Sequence, residues 1–183
     1  MITGLIQAAQ IEKYAEGLIN EYGTTDPLRI ARAEGFRLYH KELGGLLGFY
    51  CRMLGTDVIC LNSSLSDDVS RLVAAHELGH GLLHCDAADR TVLPELTLWD
   101  MLSQTEYEAN AFASHLLIPT ESLLQRLGEL SYEDGCTADS PSSLAAYFGC
   151  DVNLLLIKVK ELRRMGMKLK LPFNPDTMFL SSL

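Results

Sequence analysis

Residues 76–80 read His-Glu-Leu-Gly-His. Two histidines four apart on a helix stand one above the other, so both imidazoles can reach a single ion. The intervening Glu77 is one residue round the same helix. It can face water bound to that ion, where a base is needed as the water attacks a carbonyl. The chemistry this spacing points to is metal-assisted hydrolysis. The competing interpretation is two helix-packing histidines beside a surface glutamate. However, Val69, Leu72, Val73, His76, His80 and Leu83 recur at helical spacing, which turns His76 and His80 toward a core. Two unpaired imidazoles there would be costly, and a shared metal removes that cost.

A catalytic zinc needs a third protein ligand and one open position. The helix expected over 104–117 carries two acidic candidates, Glu106 and Glu108. Glu106 and Asn110 are four apart and share a face, so Glu106 can bind the ion while Asn110 orients a ligand histidine. Glu108 lies about 200° round the helix from Glu106, so the two cannot serve equally. Ser103-x-x-Glu106 also fits a capping box, in which the glutamate only returns a hydrogen bond to the helix start. On residue chemistry Glu106 leads, Glu108 follows, and His84, Asp86 and Asp89 are minor alternatives. His84 continues the four-residue spacing, but three turns of a straight helix rarely converge on one ion. It is read as a helix-end residue or as support for a ligand. Tyr107, His115, Tyr132 and Tyr147 are all available to stabilise an oxyanion, and nothing in the sequence ranks them. His115 lies half a turn off the Glu106 face and is read as packing.

These residues need elements to hold them. Apolar spacing predicts an amphipathic helix over 5–22, stopped by Gly23, and a second capped by Thr25 or Asp26, with Pro27 at its first turn and Gly35 as its stop. Short strands follow at 36–40, 48–53 and 58–62. The motif helix runs from about Asp67 to His84, then an irregular connection to about 102. After the 104–117 helix, a short helix over 120–127 and a polar loop over 128–140 are expected. Two further helices, 141–148 and 152–165, have the cadence of a helix-turn-helix. Leu169 and Leu171 suit a last strand. The expected class is α+β: a small sheet of three or more strands packed on the motif helix. The expected division is a core over 1–128 and a helical extension over 129–183, helix-turn-helix-like at 140–166.

The composition sets limits on function. The chain has 183 residues, 48% hydrophobic, with 15 basic and 24 acidic side chains and a net charge of −9. It is long enough for a real core and too apolar for a disordered chain. No apolar run reaches the roughly 18 residues of a spanning helix, and no signal peptide is apparent. The acidic balance argues against DNA or an anionic membrane as the main partner. The last helix carries Lys158, Lys160, Arg163 and Arg164, which admits DNA contact, but late basic residues also suit the helix dipole. Cys51, Cys60, Cys85, Cys136 and Cys150 are odd in number and form no CxxC pair, which reads as reduced thiols in a cytoplasmic protein. No phosphate-binding or dinucleotide-binding glycine loop is present.

The stretch 73–84, VAAHELGHGLLH, resembles the zinc motif of the ImmA/IrrE-type metallopeptidases, and the likeness continues at EYEANAFA (106–113) and LLIP (116–119). Isoleucine stands at 118 where the family favours methionine. The resemblance implies a thermolysin-like zincin core, with His76, His80 and Glu106 as zinc ligands, Asn110 beside a ligand histidine and Glu77 as the general base. It further implies a cytosolic substrate. Members on mobile elements resemble antirepressor proteases acting on a helix-turn-helix repressor, and others resemble stress-response regulators. Larger relatives carry a sensory domain for which 183 residues leave little room. The expectation is therefore a zinc metallo-endopeptidase cleaving a DNA-binding repressor, with no direct nucleic-acid or membrane partner. The alternatives are a metal-binding partner-recognition protein with little or no proteolysis, and a DNA-binding accessory protein.

Overall fold

The structure, a computed structural model, describes residues 2–84, 93–95, 103–132 and 140–175, and side chains within these except at 2–7, 93–95 and 130–132. Helix α1 spans Ile2–Tyr22 and stops at Gly23, whose φ of 63° lets the chain turn back. Helix α2, Pro27–Ala33, starts as its sequence suggests. The Asp26 carboxylate accepts from Leu28 N at 2.9 Å, and Pro27 takes the first turn, where no amide is needed.

The sheet comprises β1 (Arg37–Lys41), β2 (Gly48–Met53), β3 (Thr56–Asn62) and β4 (Leu93–Glu95), in the order β1-β3-β2-β4. β1 is parallel to β3, while β2 is antiparallel to both β3 and β4. Leu54 and Gly55 both have positive φ, 50° and 75°, which is the two-residue turn that matches the twist of a β-hairpin. Alternation then gives the sheet an inner face. Tyr50, Ile59 and Leu61 are fully buried against helix α3, Asp67–Leu83. α3 lies close on that face because Gly81 offers no side chain. A Cβ there would come within 2.3 Å of the Phe36 ring.

Helix α4, Gln104–Leu117, packs on α3, and α1 packs on α4 with Tyr14 against Phe112. Helices α5 (Thr120–Tyr132), α6 (Pro141–Tyr147) and α7 (Val152–Arg164) follow. α7 adds Leu154, Leu155, Val159 and Leu162 to the same core cluster as Val73, Leu78 and Phe112. Among the described residues the fold is thus α+β, with a helical C-terminal part.

Three local expectations change. β4 forms in the stretch read as irregular; three residues including a proline carry too little periodicity to register as a strand. α5 continues past Leu127 to Tyr132, shortening the expected loop. Gly128 costs that helix about 1 kcal/mol, and buried Leu123 and Leu127 anchor it. Leu169 and Leu171 pack against the core without joining a strand, so their alternation reports apolar contact and not sheet pairing.

Candidate metal centre

α3 and α4 meet at Gly79. A Cβ on Gly79 would sit 3.1 Å from Ala109 Cα and 3.1 Å from Ala109 O, so any larger residue would push the two backbones apart by a few tenths of an ångström. The approach brings the motif helix against the helix that bears Glu106 and Asn110. His76 and His80 are each 1% exposed and Glu77 is fully buried.

The ring nitrogens His76 Nε2 and His80 Nε2 face each other at 3.0 Å. Glu106 spans them, with Oε2 3.2 Å from His76 Nε2 and Oε1 3.4 Å from His80 Nε2. One donor atom from each of the three residues lies within 4.8 Å of the others. Asn110 Oδ1 lies 2.8 Å from His76 Nδ1. A carbonyl oxygen only accepts, so Nδ1 carries the proton and Nε2 is the nitrogen turned toward Glu106.

The electrostatics test whether a cation suits this group. Burial pushes the Glu106 carboxyl up, but the imidazoles of His76 and His80 outweigh burial and hold it well below the usual carboxylate range. Glu106 is therefore an anion. An anion spanning two mutually facing ring nitrogens is satisfied by an N–H hydrogen at its centre or by a cation. Two imidazoles and a carboxylate form a donor set that zinc accepts while keeping a position open. The residues fit the ion.

Ser103 caps α4, its hydroxyl accepting from Glu106 N at 3.1 Å. Only half of the capping box forms, because the Glu106 side chain turns to the histidines. Glu108 is not in that group. Its Oε2 lies 2.9 Å from His84 Nε2, and Gln104 Nε2 donates to its Oε1 at 2.6 Å. His84 is the C-cap of α3, its ring 5.7 Å from that of His80. Burial, then the neighbouring His80, lowers the His84 pKa, so it meets Glu108 as a neutral donor. Asp86 and Asp89 lie outside the described residues.

Of the oxyanion candidates, Tyr107 turns to α7, where its hydroxyl meets Glu161 and Arg164. Tyr147 is 60% exposed, with the Arg126 guanidinium 5.0 Å from its ring centre. His115 is fully buried and accepts from Lys158 Nζ at Nδ1, 2.7 Å away. The Tyr132 side chain lies outside the described ones. Sequence reasoning missed the His84–Glu108 pair and the buried Lys158. A lysine on the apolar face of α7, one turn after Leu154, was the available signal. Lys158 is 1% exposed and α7 is buried along most of its length, leaving Lys160, Arg163 and Arg164 at its exposed edge.

A small mixed sheet, a histidine-bearing helix laid on it and a carboxylate from the next helix define an α+β protein with a His₂Glu candidate metal centre of the HExxH type. The chain belongs to the M78 peptidase family, whose IrrE N-terminal-like domain matches residues 34–160 and so includes every residue of that centre. It is also similar to immunity region protein 2 of Bacillus phage phi105, with 32% identity over 114 residues, covering 60% of this chain and 68% of the relative.

Proposed function

We propose that the protein is a zinc-dependent endopeptidase that cleaves a cytoplasmic regulatory protein, a helix-turn-helix transcriptional repressor. The observation that carries this is the convergence of His76, His80 and Glu106 beside a fully buried Glu77. Membership of a peptidase family and similarity to a phage immunity-region protein support the choice of reaction and of a repressor as target. Among the described residues no single helix is long and apolar enough to cross a membrane, and the α6–α7 pair is bent by 93°.

His76 Nε2, His80 Nε2 and Glu106 would hold the ion. When bound, it supplies Lewis acidity, acidifying a water and polarising the scissile carbonyl. Asn110 keeps the His76 proton on Nδ1 and so keeps Nε2 available. The Glu77 carboxylate takes a proton from the attacking water and delivers it to the leaving amine. Its place on α3, one residue from His76, fixes it beside the reacting atoms without a mobile loop.

The test is co-incubation with a helix-turn-helix regulator encoded beside this gene. Loss of the full-length regulator, blocked by a chelator and by Glu77→Gln, is the expected result. The Glu77→Gln protein should keep about one zinc per chain, since the base is not a ligand. Cleavage that persists in Glu77→Gln removes Glu77 from the base role. Stable association without cleavage favours the partner-recognition alternative.

A further inference from the structure

Helix α7 packs on α4 and meets it through polar contacts near both ends of α4. At the far end Lys158 Nζ donates to His115 Nδ1 at 2.7 Å and to Thr120 Oγ1 at 2.8 Å. At the near end, one residue from Glu106, the Tyr107 hydroxyl donates to Glu161 and accepts from Arg164. Arg164 closes the triangle with Glu161 at 3.1 Å. Glu161 is 1% exposed, so this is a charge-assisted cluster set into the helix interface. Lys160 and Arg164 both stand over the Tyr107 ring, 5.4 and 5.3 Å from its centre.

Glu106 occupies the first turn of α4, three residues after its cap. The amides of a first turn lack intrahelical partners, and helix ends open most readily. The Ser103 hydroxyl satisfies one of those amides. The Tyr107 cluster ties the same turn to a buried carboxylate on another helix. The other ties on this stretch are the Ser103 cap and the Glu108–His84 contact to α3; the Tyr107 cluster is the one that fixes it to α7. We propose that Tyr107 and Glu161 are positioning residues for Glu106: α7 fixes the first turn of α4, so metal affinity depends on side chains that never touch the ion. This rests on the metal reading of His76, His80 and Glu106.

Zinc affinity of the full chain, measured by competition with a chromophoric chelator, tests it. Tyr107→Phe removes one hydroxyl and should weaken zinc binding about ten-fold, the lower end of the effect of groups that orient ligands. Glu161→Ala should do the same, and Glu161→Gln, which keeps an acceptor for Tyr107, should restore most of the affinity. Lys158→Met perturbs the far clamp and should leave affinity unchanged. Urea unfolding of each metal-free variant separates positioning from general loss of stability. Tyr107→Phe binding zinc as tightly as wild type overturns the proposal, as does an equal loss in Lys158→Met. Wild-type protein that binds no zinc, or His76→Ala that binds as well as wild type, overturns the metal reading and this proposal with it.

Discussion

Replacing Gly79 by alanine should open the centre without touching any proposed ligand. The added Cβ would stand 3.1 Å from Ala109 Cα, Ala109 O and Phe112 Cδ1. That is tighter than ordinary van der Waals contact, so α4 must retreat by a few tenths of an ångström. Two of the three atoms belong to the α4 backbone, so no side-chain rotation relieves the clash. Ala109 adjoins Asn110 and lies three residues after Glu106, so a retreat at Ala109 carries both away from His76 and His80. Metal–ligand distances tolerate only about 0.2 Å. Overpacking costs about 1–3 kcal/mol, and the better helix propensity of alanine returns about 1 kcal/mol. The metal-free protein should therefore lose at most about 2 kcal/mol. Binding zinc requires α4 to move back against that strain, and about 1.4 kcal/mol corresponds to a ten-fold weaker affinity. Chelator competition reads the affinity, and urea unfolding reads the stability. Gly17→Ala is the control. Gly17 is inside α1, and a methyl group there would meet nothing within 4 Å, so the change should stabilise by up to about 1 kcal/mol and leave zinc affinity alone. Gly79→Ala binding zinc as tightly as wild type would refute the claim that this close approach sets the centre.

Two further outcomes follow from buried polar groups. Asn110→Ala leaves the His76 Nδ1 proton without its acceptor in a fully buried site; urea unfolding should show a loss of about 1–3 kcal/mol, and zinc affinity should drop roughly 10- to 100-fold, the cost of an orienting partner; an unchanged affinity contradicts the orienting role. Burial lowers the Lys158 pKa from 10.5 to about 8, against the opposing pull of Glu12, Glu16 and Glu161. Between those values the unfolded chain binds the proton and the folded one does not, so stability rises with pH. The shift corresponds to about 3 kcal/mol. Wild-type stability minus that of Lys158→Met should accordingly climb by up to that amount between about pH 8 and pH 10.5, and a flat difference refutes it.

What could be read from the sequence was local. The His76–His80 spacing, the shared face of Glu106 and Asn110, and the Ser103 cap follow from one helix's period and one helix's end, and each stands in the structure as an intrahelical fact. The choice between Glu106 and Glu108 was of another kind. Both carboxylates reach α3, one at His76 and His80 and the other at His84, and helical angle alone does not say which meets which. That depends on where α4 crosses α3, and the crossing is set by Gly79 against Ala109, a contact between residues 30 apart in a chain where no local pattern records distance. The same holds for Lys158. Its position among Leu154, Leu155 and Leu162 marks it as turned inward, but its partners His115, Thr120 and Glu12 come from three other helices. The basic residues of the last helix accordingly divide by burial and not by charge. Lys158 belongs to the core, whereas Lys160, Arg163 and Arg164 stay exposed, with Lys160 and Arg164 over the Tyr107 ring.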